Sequence, residues 1–479
     1  MSLANKALGS FLWAFLERFG VQMLQMVVFI VLARILTPEA FGLIGMLTVF
    51  IAVSQAITDS GFGQALIQKK DTDEIDYSSV FYINMVISGL VYIALFFSAP
   101  YIADFYNEPQ LVMLLKVLGL RFIISAFSMV QIAKLTKEVR FKELMISKLP
   151  SSFLGGLAGI VAAYMNYGVW SLVIQQLVDI TAYSLQIWIH AKWKPLFVFN
   201  WSRIKSLFDF GGKMMIEGIL STVYQNLYEL MIGRYFSTAQ VGFYTQANKL
   251  KQLPIQNISN ALNRVTFPIL VGIQDDDVRL KNAYKKMVRQ VFLVITPLMV
   301  AAIVLAPYLF RVLLTEKWMP AVPYFQWLCV SGIFYPVQAY NLNILKVKGR
   351  SDLFLKLGFL KKGISILGIV ILVQYSVLAL VIFRAFNSVL AYYINSYYSG
   401  RFINYGMLEQ IKDIWKFLAA STFAGAVIWA LTQYLSLGDV PTLLLGGVGG
   451  LIIYVAIIYK FEYPIIEYTK KMFLRFKGG

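Results

Sequence analysis

The chain has 479 residues, of which 58% are hydrophobic and only 14% charged, and its 43 Lys and Arg against 25 Asp and Glu give a formal net charge of +18. The length would hold about three soluble domains of ~150 residues, but a soluble protein could not cover so much apolar surface, and the polar stretches between apolar blocks are short. One cysteine, Cys329, excludes an internal disulfide, and one histidine, His190, argues against a His-rich metal site.

Apolar windows of about 20 residues, the length that crosses a bilayer as a helix, predict spans over 8–33, 41–66, 79–103, 109–133, 149–165, 169–189, 207–232, 241–271, 288–310, 324–346, 353–373, 376–400, 412–433 and 441–460. The expected fold is therefore an all-α integral membrane protein of about fourteen transmembrane helices. A β-barrel would show alternating segments of ~10 residues, which are absent. The first span is too long for a signal-peptide core and lacks a small-residue cleavage site, so it is expected to remain in the mature protein.

Basic loop residues set the orientation. With the N-terminus inside, and Arg289, Lys346, Lys412, Lys416 and Lys460 at cytoplasmic span ends counted as inside, twenty-eight Lys and Arg fall in cytoplasmic segments, four fall outside (Arg34, Arg234, Arg311 and Lys317) and eleven are left in the spans, which accounts for all 43. Both termini are expected in the cytoplasm. The basic charge is then topological, as suits loops beside anionic lipid, and no nucleic-acid partner is expected.

Sliding the chain by 200 residues aligns Glu17 with Glu217, Gln25 with Gln225, Arg34 with Arg234 and Gly42 with Gly242. Those residue types are rare in membrane helices, and the offset maps spans one and two onto seven and eight. An even number of intervening spans gives parallel repeats. The predicted organisation is an N-lobe over 1–200, a C-lobe over 201–405 and two appended helices with a basic cytoplasmic tail over 406–479.

The eleven span cations are Arg18, Lys116, Arg121, Lys213, Lys249, Lys251, Arg264, Lys356, Lys361, Lys362 and Arg384. A charge in a spanning segment is a functional candidate by default. Lys356, Lys361 and Lys362 stand near a cytoplasmic helix end, where long stems snorkel to the interface. Arg18, Arg121, Lys249, Lys251, Arg264 and Arg384 stand deeper. Arg18 either contacts substrate or pairs with Glu17. Span eight carries Gln246, Lys249, Asn257, Asn260 and Arg264 at helical spacing, a face that lines a cavity or bonds to neighbouring helices, with Pro254 as a kink. Lys116, Arg121, Lys213 and Arg384 are open between cavity and structural pairing. Glu17, Asp179, Glu217 and Glu229 either bind a coupling Na+ or H+ or neutralise nearby cations, with Glu229 the foremost ion-site candidate. Asp59 and the cluster Asp71, Asp73, Glu74, Asp76 suit turns and helix starts.

The stretches Arg34-Ile-Leu-Thr-Pro-Glu-Ala-Phe-Gly42, Asp59-Ser-Gly-Phe-Gly-Gln-Ala-Leu-Ile-Gln68, Phe105-Tyr-Asn-Glu-Pro109, Glu138-Val-Arg-Phe-Lys142, Glu316-Lys-Trp318 and Lys348-Gly-Arg350 resemble the Wzx-type polysaccharide flippases, in particular their colanic-acid exporter branch. The resemblance implies the multidrug/oligosaccharidyl-lipid/polysaccharide superfamily fold, two bundles facing a central cavity, in the bacterial inner membrane. It implies translocation of an undecaprenyl-diphosphate-linked oligosaccharide to the outer leaflet by alternating access, alongside the polymerase and chain-length machinery of the pathway. It also favours Arg18, because an arginine on the first helix lines the cavity of related peptidoglycan-precursor flippases. A diphosphate would meet fixed cations in such a cavity, with the surrounding lipid receiving the prenyl tail.

Two other classes are weighed. A small-molecule antiporter of the same superfamily would favour an acidic or apolar cavity for cationic drugs. A membrane polymerase or glycosyltransferase would present a large outer loop with catalytic groups, whereas the longest predicted outer loop, near 311–323, brings only Arg311, Glu316 and Lys317. No nucleotide-binding motif, hydrolytic triad or paired-carboxylate arrangement is present, so neither an enzyme nor a cofactor is expected.

Overall fold

The computed structural model describes the backbone of residues 3–59, 61–434 and 438–477, with the side chains of 3–18, 206, 209–211, 213–214, 257–269 and 463–477 outside the described residues. Among the described residues all regular structure is helical. The helices are α1 (Leu3–Ile35), α2 (Pro38–Asp59), α3 (Phe62–Gln68), α4 (Glu74–Tyr106), α5 (Gln110–Lys137), α6 (Phe141–Tyr164), α7 (Trp170–Ala191), α8 (Trp201–Gln225), α9 (Leu227–Tyr235), α10 (Thr238–Val271) and α11 (Asp277–Leu314). A 3-10 turn over Glu316–Ala321 leads into α12 (Val322–Val347), α13 (Ser351–Leu372), α14 (Val377–Ile403), α15 (Met407–Tyr434) and α16 (Asp439–Lys477). Nine helical segments among the described residues are long and apolar enough to cross a membrane. The chain divides into two compact units, Met1–Gly242 and Phe243–Gly479.

Helix ends follow local chemistry. Asp73 caps α4 by accepting from the Asp76 backbone N–H at 2.8 Å, while the Asp76 carboxylate accepts from the Asp73 N–H at 3.2 Å. This reciprocal box satisfies two donors that the first turn leaves open. Asp276 accepts from the backbone N–H groups of Val278 and Arg279 at the start of α11, and Ser376 from that of Ala379 at the start of α14. Asn107 and Asn404 end α4 and α14 in the left-handed region, where asparagine is tolerated better than most residues.

Two predicted spans are broken in the structure. Within the 41–66 segment Gly61, whose φ of 71° is left-handed and therefore suits glycine, interrupts the helix before α3, although Pro38–Gln68 as a whole is apolar enough to span. The 207–232 segment breaks at Asn226 between α8 and α9. Helix α6 begins at Phe141, well before the predicted 149, so Lys142 and Lys148 are helical.

In the N-terminal unit α6 packs on α7 and α1, and α5 on α4 and α7. Close approach of α6 and α7 depends on Gly155 and Gly159, where an added Cβ would stand 2.7 Å from Asp179 Cβ and 2.7 Å from Gln175 Cβ, the small-residue mode of membrane helix packing. The starts of α2 and α10 cross even more tightly. A Cβ on Gly42 would fall 1.8 Å from the Thr238 carbonyl oxygen, and one on Gly242 would fall 2.1 Å from the Pro38 carbonyl oxygen. Each glycine thus faces the residue that the 200-residue offset pairs with its partner's contact. Around the first turn of α4, the fully buried Asp76 carboxylate accepts from Lys69 Nζ at 2.6 Å and Arg203 Nη1 at 3.2 Å. Ser78 and Ser79 accept from the backbone N–H groups of Leu196 and Asn200. The segment before α8 and the first turn of α8 are thereby fastened to α4.

In the C-terminal unit α11 packs on α12, α15 and α16, and α14 on α12 and α13. At about 1.5 Å per residue the 38 residues of α11 reach well beyond a hydrocarbon layer of about 30 Å, which suits the position of its five basic residues between Arg279 and Arg289 at one end. A buried amide network holds the neighbouring helices. Asn341 Oδ1 accepts from Tyr284 Oη at 2.7 Å, Ser399 Oγ at 2.8 Å and Gln410 Nε2 at 3.0 Å. Gln410 Nε2 and Ser399 Oγ also reach the Tyr405 carbonyl.

Candidate functional site

The polar interior of the N-terminal unit is organised around α6 and α7. Lys148 Nζ pairs with Asp179 at 2.8 and 3.1 Å, and Ser152 Oγ donates to the same carboxylate at 3.0 Å. Asp179, a candidate for a coupling ion, therefore has a cation beside it. Arg121, half-buried on α5, donates from Nη1 to Gln176 Oε1 at 3.1 Å and lies within electrostatic reach of Asp179. Lys148 was missing from the site residues read in the sequence because it fell outside the apolar window.

Glu217 enters a different setting. It lines a cavity of about 610 Å³ together with Gln55, Asp59, Asn84, Ser125 and Ser128. Asp59 Oδ1 accepts from Gln55 Nε2 at 2.8 Å. Gln25 and Gln225 are exposed, and Gln225 Nε2 donates to Ser221 Oγ at 3.0 Å. Glu229 is buried on α9.

In the C-terminal unit α10 carries Gln246 and Lys251 buried and Lys249 exposed. Arg384, half-buried on α14, donates from Nη1 to the fully buried Tyr244 hydroxyl and stands 5.9 Å from the centre of that ring. Glu17, Arg18, Lys213, Asn257, Asn260 and Arg264 lie outside the described residues for their side chains.

A second cavity, of about 760 Å³, lies among α11, α15 and α16 and is walled almost entirely by aliphatic side chains and glycine. Its two hydroxyls are spent on protein acceptors: Ser421 Oγ bonds to Thr296 Oγ1 at 3.0 Å and Tyr454 Oη donates to the Leu293 carbonyl at 2.9 Å. The space thus offers dispersion contacts and no free polar group, a suitable surface for a hydrocarbon chain.

Outside the spans, several charges are tuned by contacts at helix ends. The Asp76 backbone N–H, followed by the Arg203 charge, holds the Asp73 carboxyl below its ordinary range. Arg350 donates from Nε and Nη2 to Asp352 at 2.8 and 2.7 Å and lowers that carboxyl to about 2. Burial, with the hydrogen bond to Asp413, raises the Tyr405 hydroxyl. None of these groups forms a catalytic pair.

The profile of a family described as "Polysaccharide biosynthesis protein" matches residues 31–323. The "Teichuronic acid biosynthesis protein TuaB" of Bacillus subtilis is 26% identical over 74% of this chain and 73% of its own length. The "Lipopolysaccharide biosynthesis protein WzxC" of Escherichia coli is 24% identical over 82% of each. Among solved structures, "Lipid II flippase MurJ, inward closed conformation" superposes with a TM-score of 0.76 at 13% identity, covering 95% of this chain and 99% of that one, a likeness of fold. With apolar helices long enough to span, these matches make the chain a multi-pass membrane protein with a fold like that of the MurJ structure. It belongs to the polysaccharide biosynthesis protein family.

Proposed function

We propose that the protein is a flippase, not an enzyme, and that it moves an undecaprenyl-diphosphate-linked oligosaccharide repeat unit from the inner to the outer leaflet of the bacterial inner membrane for surface polysaccharide assembly. The observation that carries this function is the family match over 31–323, a segment that also holds Arg121 on α5 and Lys249 and Lys251 on α10. A diphosphate cannot cross hydrocarbon unaided, since even one charge costs roughly 2.5–3.5 kcal/mol at the centre of a helix in the bilayer. Fixed cations lower that barrier by pairing with the phosphates. Arg18, Lys249 and Arg264 are the principal candidates, with Arg121, Lys213, Lys251 and Arg384 in support, and Gln25, Gln225, Gln246, Asn257 and Asn260 supply polar contacts. The apolar cavity among α11, α15 and α16 suits the prenyl chain.

Alternating access with both termini cytoplasmic completes the cycle, driven by a Na+ or H+ gradient through Glu229 or Glu17, and the product passes to the polymerase machinery of the pathway. Deleting the gene in its host tests the function: lipid-linked repeat units should accumulate in the inner leaflet while surface glycan falls. Unchanged surface glycan without accumulation overturns it. Replacing Arg18 and Arg264 singly by Ala and by Lys at equal membrane abundance tests the cations. Normal export by all four variants removes both from the diphosphate site.

A further inference from the structure

The cavity of about 610 Å³ in the N-terminal unit falls within the roughly 300–1,000 Å³ of small-molecule sites, and its walls are unlike a diphosphate site. They present mainly acceptors, with the Gln64 amide and the Tyr183 hydroxyl beside them. Asp59 and Glu217 bring carboxylates, and among the described residues neither makes an ion pair. Ser125 Oγ spends its hydrogen on the Phe122 carbonyl at 3.0 Å and Ser128 Oγ on the Ser125 carbonyl at 3.1 Å, so both oxygens are left as acceptors. Asn84 is only 2% exposed, lines the cavity, and its Oδ1 has no hydrogen-bond partner among the described residues. A buried acceptor without a donor is costly, and a turn of the amide toward the cavity would let a ligand that brings donors relieve the cost.

We propose that this cavity binds the glycan portion of the transported lipid through its hydroxyl groups, a site that rests on the flippase function proposed above. Every sugar hydroxyl carries a donor, and a carboxylate that accepts it makes a charge-assisted bond. A diphosphate is all acceptor and negatively charged, so the same walls repel it. The substrate is then divided by chemistry, with its phosphates at the cations and its sugars at Asp59, Glu217 and Asn84. A metal ion fits less well, because the space is many times the ~30 Å³ share of one water. Among the described residues no group of three or more His, Cys, Asp or Glu is placed to hold one. In the orientation proposed above, Asp59 closes α2 near the cytoplasmic side, where the glycan is loaded.

The test compares the full-length protein in nanodiscs with its Asp59→Asn/Glu217→Gln and Asn84→Leu variants. Affinities are measured for two probes: undecaprenyl diphosphate, and the undecaprenyl-diphosphate-linked repeat unit extracted from the deletion host. Thermal stability is followed with and without Na+. The wild type should prefer the glycosylated lipid, and each variant should lose at least tenfold in affinity for it while holding bare undecaprenyl diphosphate unchanged. Equal affinity of the wild type for both lipids, or equal losses on both, overturns the glycan site and leaves the flippase function standing. Na+-dependent stabilisation that vanishes in the variants, with lipid affinities unchanged, makes it a cation site instead. A wild type that binds neither lipid overturns the flippase function and this site with it.

Discussion

The glycine crossing of α2 and α10 gives a sharp expectation for Gly42→Ala. The new Cβ would stand 1.8 Å from the Thr238 carbonyl oxygen, against 3.4 Å or more for an ordinary contact, so the helix starts must part by about 1.6 Å. No rotamer change can absorb the overlap, because the atom struck is backbone. Overpacking of this kind typically costs 1–3 kcal/mol, occasionally more, and an unyielding partner places Gly42→Ala near the upper end, about 3 kcal/mol. Gly242→Ala meets the Pro38 carbonyl at 2.1 Å and should cost nearly as much. Once either change has separated the helices, the second alanine finds its space already open. The double variant should therefore be destabilised by little more than one single variant, with a coupling energy of about 2 kcal/mol, inside the 0.5–3 kcal/mol known for residues in contact. Reversible unfolding of the solubilised protein, run as a double-mutant cycle, measures it. Additive losses within about 0.5 kcal/mol, or two neutral single variants, would refute the crossing.

Three further outcomes are expected. Lys148→Met leaves the Asp179 carboxylate with the Ser152 hydroxyl as donor and Arg121 within electrostatic reach; breaking a fully buried pair costs about 3–5 kcal/mol, and at this half-buried position about 1–3 kcal/mol is expected, with most of the stability recovered in Lys148→Met/Asp179→Asn by thermal unfolding. Asn341→Leu removes the acceptor of Tyr284 Oη and the long bond from Asn341 Nδ2 to Gln410 Oε1, whereas Gln410 Nε2 and Ser399 keep the Tyr405 carbonyl. One stranded hydroxyl costs about 1–3 kcal/mol, so adding Tyr284→Phe should restore part of the loss. Asp73→Ala removes the cap of α4 at about 1 kcal/mol, seen as faster amide exchange over 74–78. Because the Asp73 carboxyl is held below its ordinary 3.8 in the fold, its contribution is present above that value and fades as the pH falls through the lowered one. The wild type and the variant should therefore converge in acid.

The apolar blocks in the sequence mark the helices because burial in lipid demands hydrophobic length, and that signal survives averaging over twenty residues. Averaging also hides what one residue decides. The left-handed Gly61 and the break at Asn226 interrupt apolar runs without lowering their hydropathy. Lys148 reads as a loop residue because the apolar window begins after it, yet helical hydrogen bonding is indifferent to polarity, and α6 carries it to Asp179. Gly42 and Gly242 are legible as a repeated residue type, but their contact is a property of two helices crossing. Asn84 gave no signal, because an amide without a partner is recognised only when its neighbours are known.

The clamp at Asp76 has a mechanical side. Lys69 and Arg203 converge on one buried carboxylate, so the first turn of α8 is pinned to the first turn of α4 while the far end of α8 stops where the helix is interrupted at Asn226. A rod of 25 residues clamped by ion pairs at one end, and held elsewhere by packing on α2 and α3, can act as a lever. At about 1.5 Å per residue, a tilt of roughly 5° about that pivot would sweep the far end by about 3 Å and Glu217 by about 2 Å, while α4 stayed in place. One charge cluster at the pivot would thus set how far the carboxylate wall of the cavity can travel, and loosening it would alter the stroke of the helix without touching any residue that meets the substrate.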